Sequence, residues 1–180
     1  MKFHPMASGA ALAALFLVAG CGVGPDQSTA TAPAQKSMEL ASAAVAPPPA
    51  IPDEATAAEA QPLNDAGEIA SEISSNTMIE RVPVQGGLAW REDGQVVRTA
   101  SDDGQRIAYF HPGENRPFFV QKEGRAFAYR NGRAQHAYDS AGNPRPVSDA
   151  ARAEAARLAD QSRRERDAAE RAPATVGRDD

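Results

Sequence analysis

The sequence predicts a mainly β fold: a small antiparallel β-meander domain with a short helix before it, a charged helix after it and a disordered tether ahead of both. Three observations predict this. From Thr77 to Val147, short β-prone runs alternate with turn residues about every ten positions, which leaves no room for the helical crossovers that parallel strands need. From Gly22 to Leu63 the chain is rich in Ala, Pro, Ser, Thr and acids and has no aromatic residue, so it buries too little to offset the entropy of ordering. From Ser148 onward Ala, Arg and acids dominate, as in a solvated helix. The expected boundaries are a leader over 1–20, the tether over 21–63, the β domain with its leading helix over 64–147, the charged helix over 148–172 and a disordered tail over 173–180.

The leading helix is expected to start at Asp65. With Glu68 three residues on, it has the form of a capping box, and Ile69 and Ile73 then fall on one face. Gly67, Ser71, Ser74 and Ser75 weaken it and limit it to two or three turns. The expected strands are Met78–Val84, Leu88–Arg91, Val96–Ala100, Arg106–Phe110, Phe118–Lys122, Ala126–Arg130 and Gln135–Tyr138. Pro83 makes the first of these an edge strand, because proline has no N–H for the ladder. Gly86-Gly87, Asp93-Gly94, Asp103-Gly104, Pro112-Gly113, Glu123-Gly124, Asn131-Gly132 and Gly142-Asn143 stand between strands, and Asp-Gly and Asn-Gly pairs tolerate the positive φ of two-residue hairpin turns. The run Phe118-Phe119-Val120 implies a sheet covered on both faces, one of them by the Ile69/Ile73 helix. Trp90, the single tryptophan, reads as a core anchor.

A weak repeat closes three segments on Ala-Tyr, at Tyr109, Tyr129 and Tyr138. Hairpin geometry used again accounts for it. A sharper alternative is an exposed ladder of Tyr109, Tyr129 and Tyr138, a candidate surface for stacking on a glycan. Beyond it, Ser148 is placed to cap the last helix and Pro173 to stop it. Leu158 is the only large apolar residue between Ala150 and Ala172, so this helix is expected to project into solvent or to pack lightly through Ala151, Ala155 and Leu158.

The leader carries Lys2, an apolar run through Val18 too short for a permanent bilayer span, then Ala19, Gly20 and the only cysteine, Cys21. Val18-Ala19-Gly20-Cys21 resembles the lipobox of bacterial lipoprotein precursors. The resemblance implies cleavage between Gly20 and Cys21, diacylglyceryl attachment at the Cys21 thiol and, in many members, acylation of the new amine. Gly22, in place of an aspartate after the cysteine, then leans toward the outer membrane, with the domain facing the periplasm. Each buried methylene contributes roughly 0.8 kcal/mol, so two or three long chains on one cysteine anchor stably to membrane lipid.

Charge and cysteine content exclude other classes. Gly22–Thr77 holds one lysine against eight acids, whereas Met78–Val147 holds ten basic residues against eight acids, so no strongly basic domain for nucleic acid emerges. With Cys21 lipidated no thiol remains for a disulfide, for catalysis or for a metal site. His111 and His136 have no ligand spacing, no serine stands in a Gly-x-Ser-x-Gly elbow, and no phosphate-binding glycine loop occurs; no metal, no cofactor and no enzyme activity are expected. The expectation is a lipid-anchored cell-envelope protein with a non-catalytic binding or scaffolding role. An envelope protein added at a sheet edge, or a glycan, would be its partner. The alternative is an exported hydrolase inhibitor acting through the His111–Arg116 turn. An enzyme would require a deep pocket lined by His111 or His136 together with acids.

Overall fold

A computed structural model describes residues 46–173. The expected leader, the cleavage pair Gly20 and Cys21, and most of the expected tail lie outside the described residues. Eight strands form one antiparallel sheet in sequence order: β1 (Glu80–Val84), β2 (Gly87–Glu92), β3 (Gln95–Ser101), β4 (Arg106–Tyr109), β5 (Phe119–Lys122), β6 (Arg125–Arg130), β7 (Arg133–Tyr138) and β8 (Pro144–Arg145). Helix α1 (Ala57–Ser75) packs on one face and helix α2 (Asp149–Arg171) on the other. The turn chemistry acts as expected: Asp93, Glu123 and Asn131 have φ of 49°, 50° and 52°, each followed by a glycine of positive φ. Both edges are blunted. Pro83 removes a donor from β1, and β8 is two residues long and begins with Pro144, which counts against a partner strand adding there.

The register lays side chains in rows across the sheet. On the α1 face, Arg81, Trp90, Arg98, Tyr109, Phe119, Ala128 and His136 are successive cross-strand partners from β1 to β7. Val97 is the extra residue of a bulge opposite Trp90 and Arg91, and this lets Arg98 join the row. On the α2 face the matching row is Val82, Ala89, Thr99, Ala108, Val120, Phe127 and Ala137. Large rings thus meet α1, while mainly small and branched residues meet α2.

The leading helix begins earlier and runs longer than expected. Its start is Thr56, whose N–H and hydroxyl both donate to Glu59 Oε2 at 3.0 and 2.6 Å, and these bonds hold the Glu59 carboxyl below its usual range. Asp65 and Glu68 lie inside the helix instead of at its cap. Leu63 and Ala66, fully buried, give the segment the apolar contacts that its composition alone did not promise. The ordered chain reaches back further still: Gln121 Nε2 donates to the carbonyls of Ala46 and Pro47 at 3.1 and 3.4 Å. The tether boundary expected at Leu63 therefore moves back at least to Ala46.

The closing helix does not project into solvent; it packs on the sheet through the expected Ala151, Ala155 and Leu158, and more extensively than these alone provide. Ser148 Oγ caps it, accepting from Ala151 N at 3.2 Å. Ala155, Leu158, Ser162, Arg166 and Ala169 form its buried stripe. Three sheet arginines hold it. Arg91 donates to the carbonyls of Ala169 and Ala172 at its negative end, Arg106 pairs with Glu165, and Arg125 grips Glu154 with two bonds of 3.0 and 2.9 Å. Burial pushes the Glu165 carboxyl up even with Arg106 beside it.

Candidate functional site

The three tyrosines do not form an exposed ladder. Tyr109, Tyr129 and Tyr138 are 0%, 8% and 1% exposed, and they divide between the two faces of the sheet. Two of them fasten the helices: Tyr138 Oη donates to the Glu59 carbonyl of α1 at 2.9 Å, and Tyr129 Oη donates to the Ala155 carbonyl of α2 at 2.8 Å. A phenol has the length to cross from a sheet to a helix backbone while its ring fills the layer between, so the repeat is structural. Burial pushes the Tyr109 hydroxyl up to about 12, and pushes those of Tyr129 and Tyr138 higher still. The candidate glycan surface on these residues is withdrawn.

A cavity of about 850 Å³ opens elsewhere, between the first turns of α1, the loop joining β4 to β5 and the β6–β7 hairpin. Each wall has a local cause. Pro62 sits inside α1 and has no N–H for the Ala58 carbonyl, and both residues line the opening. The β4–β5 loop is closed at its base by Phe118 N donating to the Tyr109 carbonyl at 3.0 Å and by Glu114 N donating to the His111 carbonyl at 3.0 Å. His111 stacks on Phe118 with ring centroids 4.0 Å apart and planes inclined by 13°. On the third side, the Gly132 turn lies so close to the Arg116 guanidinium that a side chain there would displace it.

The lining is polar and mixed in charge. Gln61, Asn115, Asn131 and Gln135 offer planar amides, while Asp65 and Glu114 oppose Arg116 and Arg130. Such a set presents paired donors and acceptors beside a flat aromatic stack, which suits a polyhydroxylated ligand better than an apolar one. A smaller depression of about 300 Å³, also bordered by His111, is acidic. In it Glu92 is pushed up by burial and by the neighbouring Glu72 carboxyl.

The main cavity does bring His111 and His136 together with acids, which the sequence did not show. Among the described residues, however, neither histidine is hydrogen-bonded to a carboxylate, and no group of three or more His, Cys, Asp or Glu could hold a metal ion. General acid–base work asks for partners within about 2.6–3.2 Å. The His111–Arg116 turn, the expected inhibitory loop, is braced at its base and forms a wall of the cavity. Sequence reading missed Asp65, Gln61 and Asn131 as neighbours because only the register of β4 through β7 and the docking of α1 bring them together. No protein-family model, curated protein or solved structure matches this chain. Among the described residues, no helix is long and apolar enough to cross a membrane.

Proposed function

We propose that this chain is a lipid-anchored cell-envelope protein with a non-catalytic binding role, held to membrane lipid through acylated Cys21, with its cavity presented on the periplasmic side of the outer membrane. The observation that carries the reading is the Val18-Ala19-Gly20-Cys21 pattern placed ahead of a folded domain. The cavity adds a ligand class, a polyhydroxylated molecule such as an envelope glycan, on the strength of its amides and the His111–Phe118 stack. Contacts that reach back to Ala46 leave the 24 residues 22–45 between anchor and domain, a span of at most about 86 Å. Among the described residues no histidine is hydrogen-bonded to a carboxylate, and the His111–Arg116 turn of the inhibitor reading is braced at its base and lines the cavity.

One experiment tests both parts. Wild type and Cys21→Ser are expressed with a photo-crosslinker at Asn131, on the cavity rim, or at Asp102, in the β3–β4 turn. After irradiation of intact cells the membranes are separated. The wild type is expected in the membrane fraction with a glycan adduct from Asn131 and none from Asp102, and Cys21→Ser is expected in the soluble fraction. Retention of Cys21→Ser in membranes overturns the anchor, and equal capture from the two positions overturns the cavity as the site.

A further inference from the structure

Arg98 stands apart from the other buried arginines. Arg91, Arg106 and Arg166 each reach a carboxylate, on Glu80, Glu165 and Glu170. Arg98 is 6% exposed, and among the described residues no carboxylate lies within ion-pair distance of it. Its guanidinium carbon rests 3.7 Å from the centre of the Trp90 ring, the Tyr109 hydroxyl is beside it, and its Nε has no hydrogen-bond partner. An apolar side chain of similar length would fill the row between Trp90 and Tyr109 without an uncompensated charge.

Arg98 lines a second cavity, of about 600 Å³, separate from the one bordered by the two histidines. One wall is the segment from Pro47 to Ile51, fixed at one end by the Gln121 bonds and at the other by close packing of the Ala50 carbonyl on Gly142. The facing wall is α1, through Leu63, Gly67 and Ala70. The volume lies within the range of small-molecule sites, roughly 300–1,000 Å³, and the walls are largely apolar. One guanidinium balances one negative charge, and Glu68 on the α1 side opposes a second.

We infer that this cavity binds an amphiphilic monocarboxylate, with the carboxylate paired to Arg98 and an acyl tail lying between the Pro47–Ile51 segment and α1. The site goes beyond the anchor and the polar cavity, and does not depend on either.

Trp90, directly beneath the guanidinium and the only tryptophan of the chain, reports on occupancy. The full chain is titrated with decanoate, decanol and sulfate, following Trp90 emission. Decanoate is expected to give a saturable single-site change, decanol to bind at least tenfold more weakly, and sulfate to give none. Arg98→Met is expected to lose decanoate binding while its Tm equals or exceeds that of the wild type. Gly67→Leu, at a lining position of α1 where an added Cβ would meet nothing within 4 Å, is expected to block decanoate as well, with a Tm unchanged from the wild type as the check that the fold is kept. The inference is overturned if the wild type shows no saturable response, if decanol matches decanoate, or if Gly67→Leu binds decanoate as the wild type does. A lowered Tm in Arg98→Met with decanoate binding intact would make Arg98 a structural support for Trp90, and would overturn it equally.

Discussion

The two faces of the sheet hold their helices by different means. Under α1 the contact is apolar: Leu63, Ala66 and Ile73 meet Trp90, Tyr109, Phe119 and Tyr138. Under α2 the apolar contribution is small, since Ala155, Leu158 and Ala169 meet Val82, Ala89, Val120 and Phe127, and arginines of the sheet reach across to carboxylates and carbonyls of the helix. Each face adds one tyrosine hydroxyl bonded to a helix carbonyl. A helix poor in large apolar residues can therefore be docked firmly when its alanines allow close approach and its charges find partners fixed on a rigid sheet. Stability under α1 is expected to depend on pH only through the exposed Glu59 cap, whose lowered carboxyl favours the folded state above its usual range and loses that contribution in acid, and stability under α2 to follow the charge of the buried Glu165.

The largest expected effect breaks that second face. Arg106→Met leaves Glu165 buried without its partner and is expected to destabilise by about 3–5 kcal/mol in urea denaturation at neutral pH. Glu165 is already raised by burial, and loss of Arg106 raises it further. A carboxyl with a folded pKa above its unfolded value near about 4.3 favours the folded state when protonated. The deficit should then be full above the folded pKa and shrink as pH falls toward the unfolded value. Adding Glu165→Met should restore most of the loss, and a deficit unchanged between pH 7 and pH 4.5 would show that the pair does not govern this face. Next in size, Leu63→Ala opens a cavity under α1 and is expected to cost about 2–4 kcal/mol, equally at both pH values. The smallest effect is Arg125→Ala. Arg125 is 54% exposed in its pair with Glu154, so the loss should stay below about 1 kcal/mol and fade with added salt.

The strands were legible because their signals are local. Turn pairs at Asp93-Gly94 and Asn131-Gly132 demand positive φ from the residues themselves, and alternation between them sets the faces. Helix α1 was half legible: Ile69 and Ile73 marked its face and Ala57, Ala58, Glu59 and Ala60 are good helix formers, but a lasting start at Thr56 depends on Leu63 finding a pocket in the sheet. The docking of α2 was legible in part: Ala155 and Leu158 pack on the sheet as one of the two expectations had it, but Ser162, Arg166 and the arginine ties that complete the contact carry no apolar signal in the sequence. The tyrosine repeat was read correctly as a hairpin device and wrongly as a candidate surface. Exposure is a property of what covers a strand, and both covers come from distant parts of the chain.

By itself the sequence determined the antiparallel meander, its turns and the cap and stop of the last helix, since these follow from the φ preferences and hydrogen-bonding groups of neighbouring residues. It also carries the whole case for the anchor at Cys21, which lies outside the described residues. Only the tertiary structure decided that both helices are fastened down, that His111 and His136 share a polar cavity with Asp65, and that Arg98 is buried with no carboxylate among the described residues within ion-pair distance. Each of those depends on register summed over several strands, and no local window of sequence contains it.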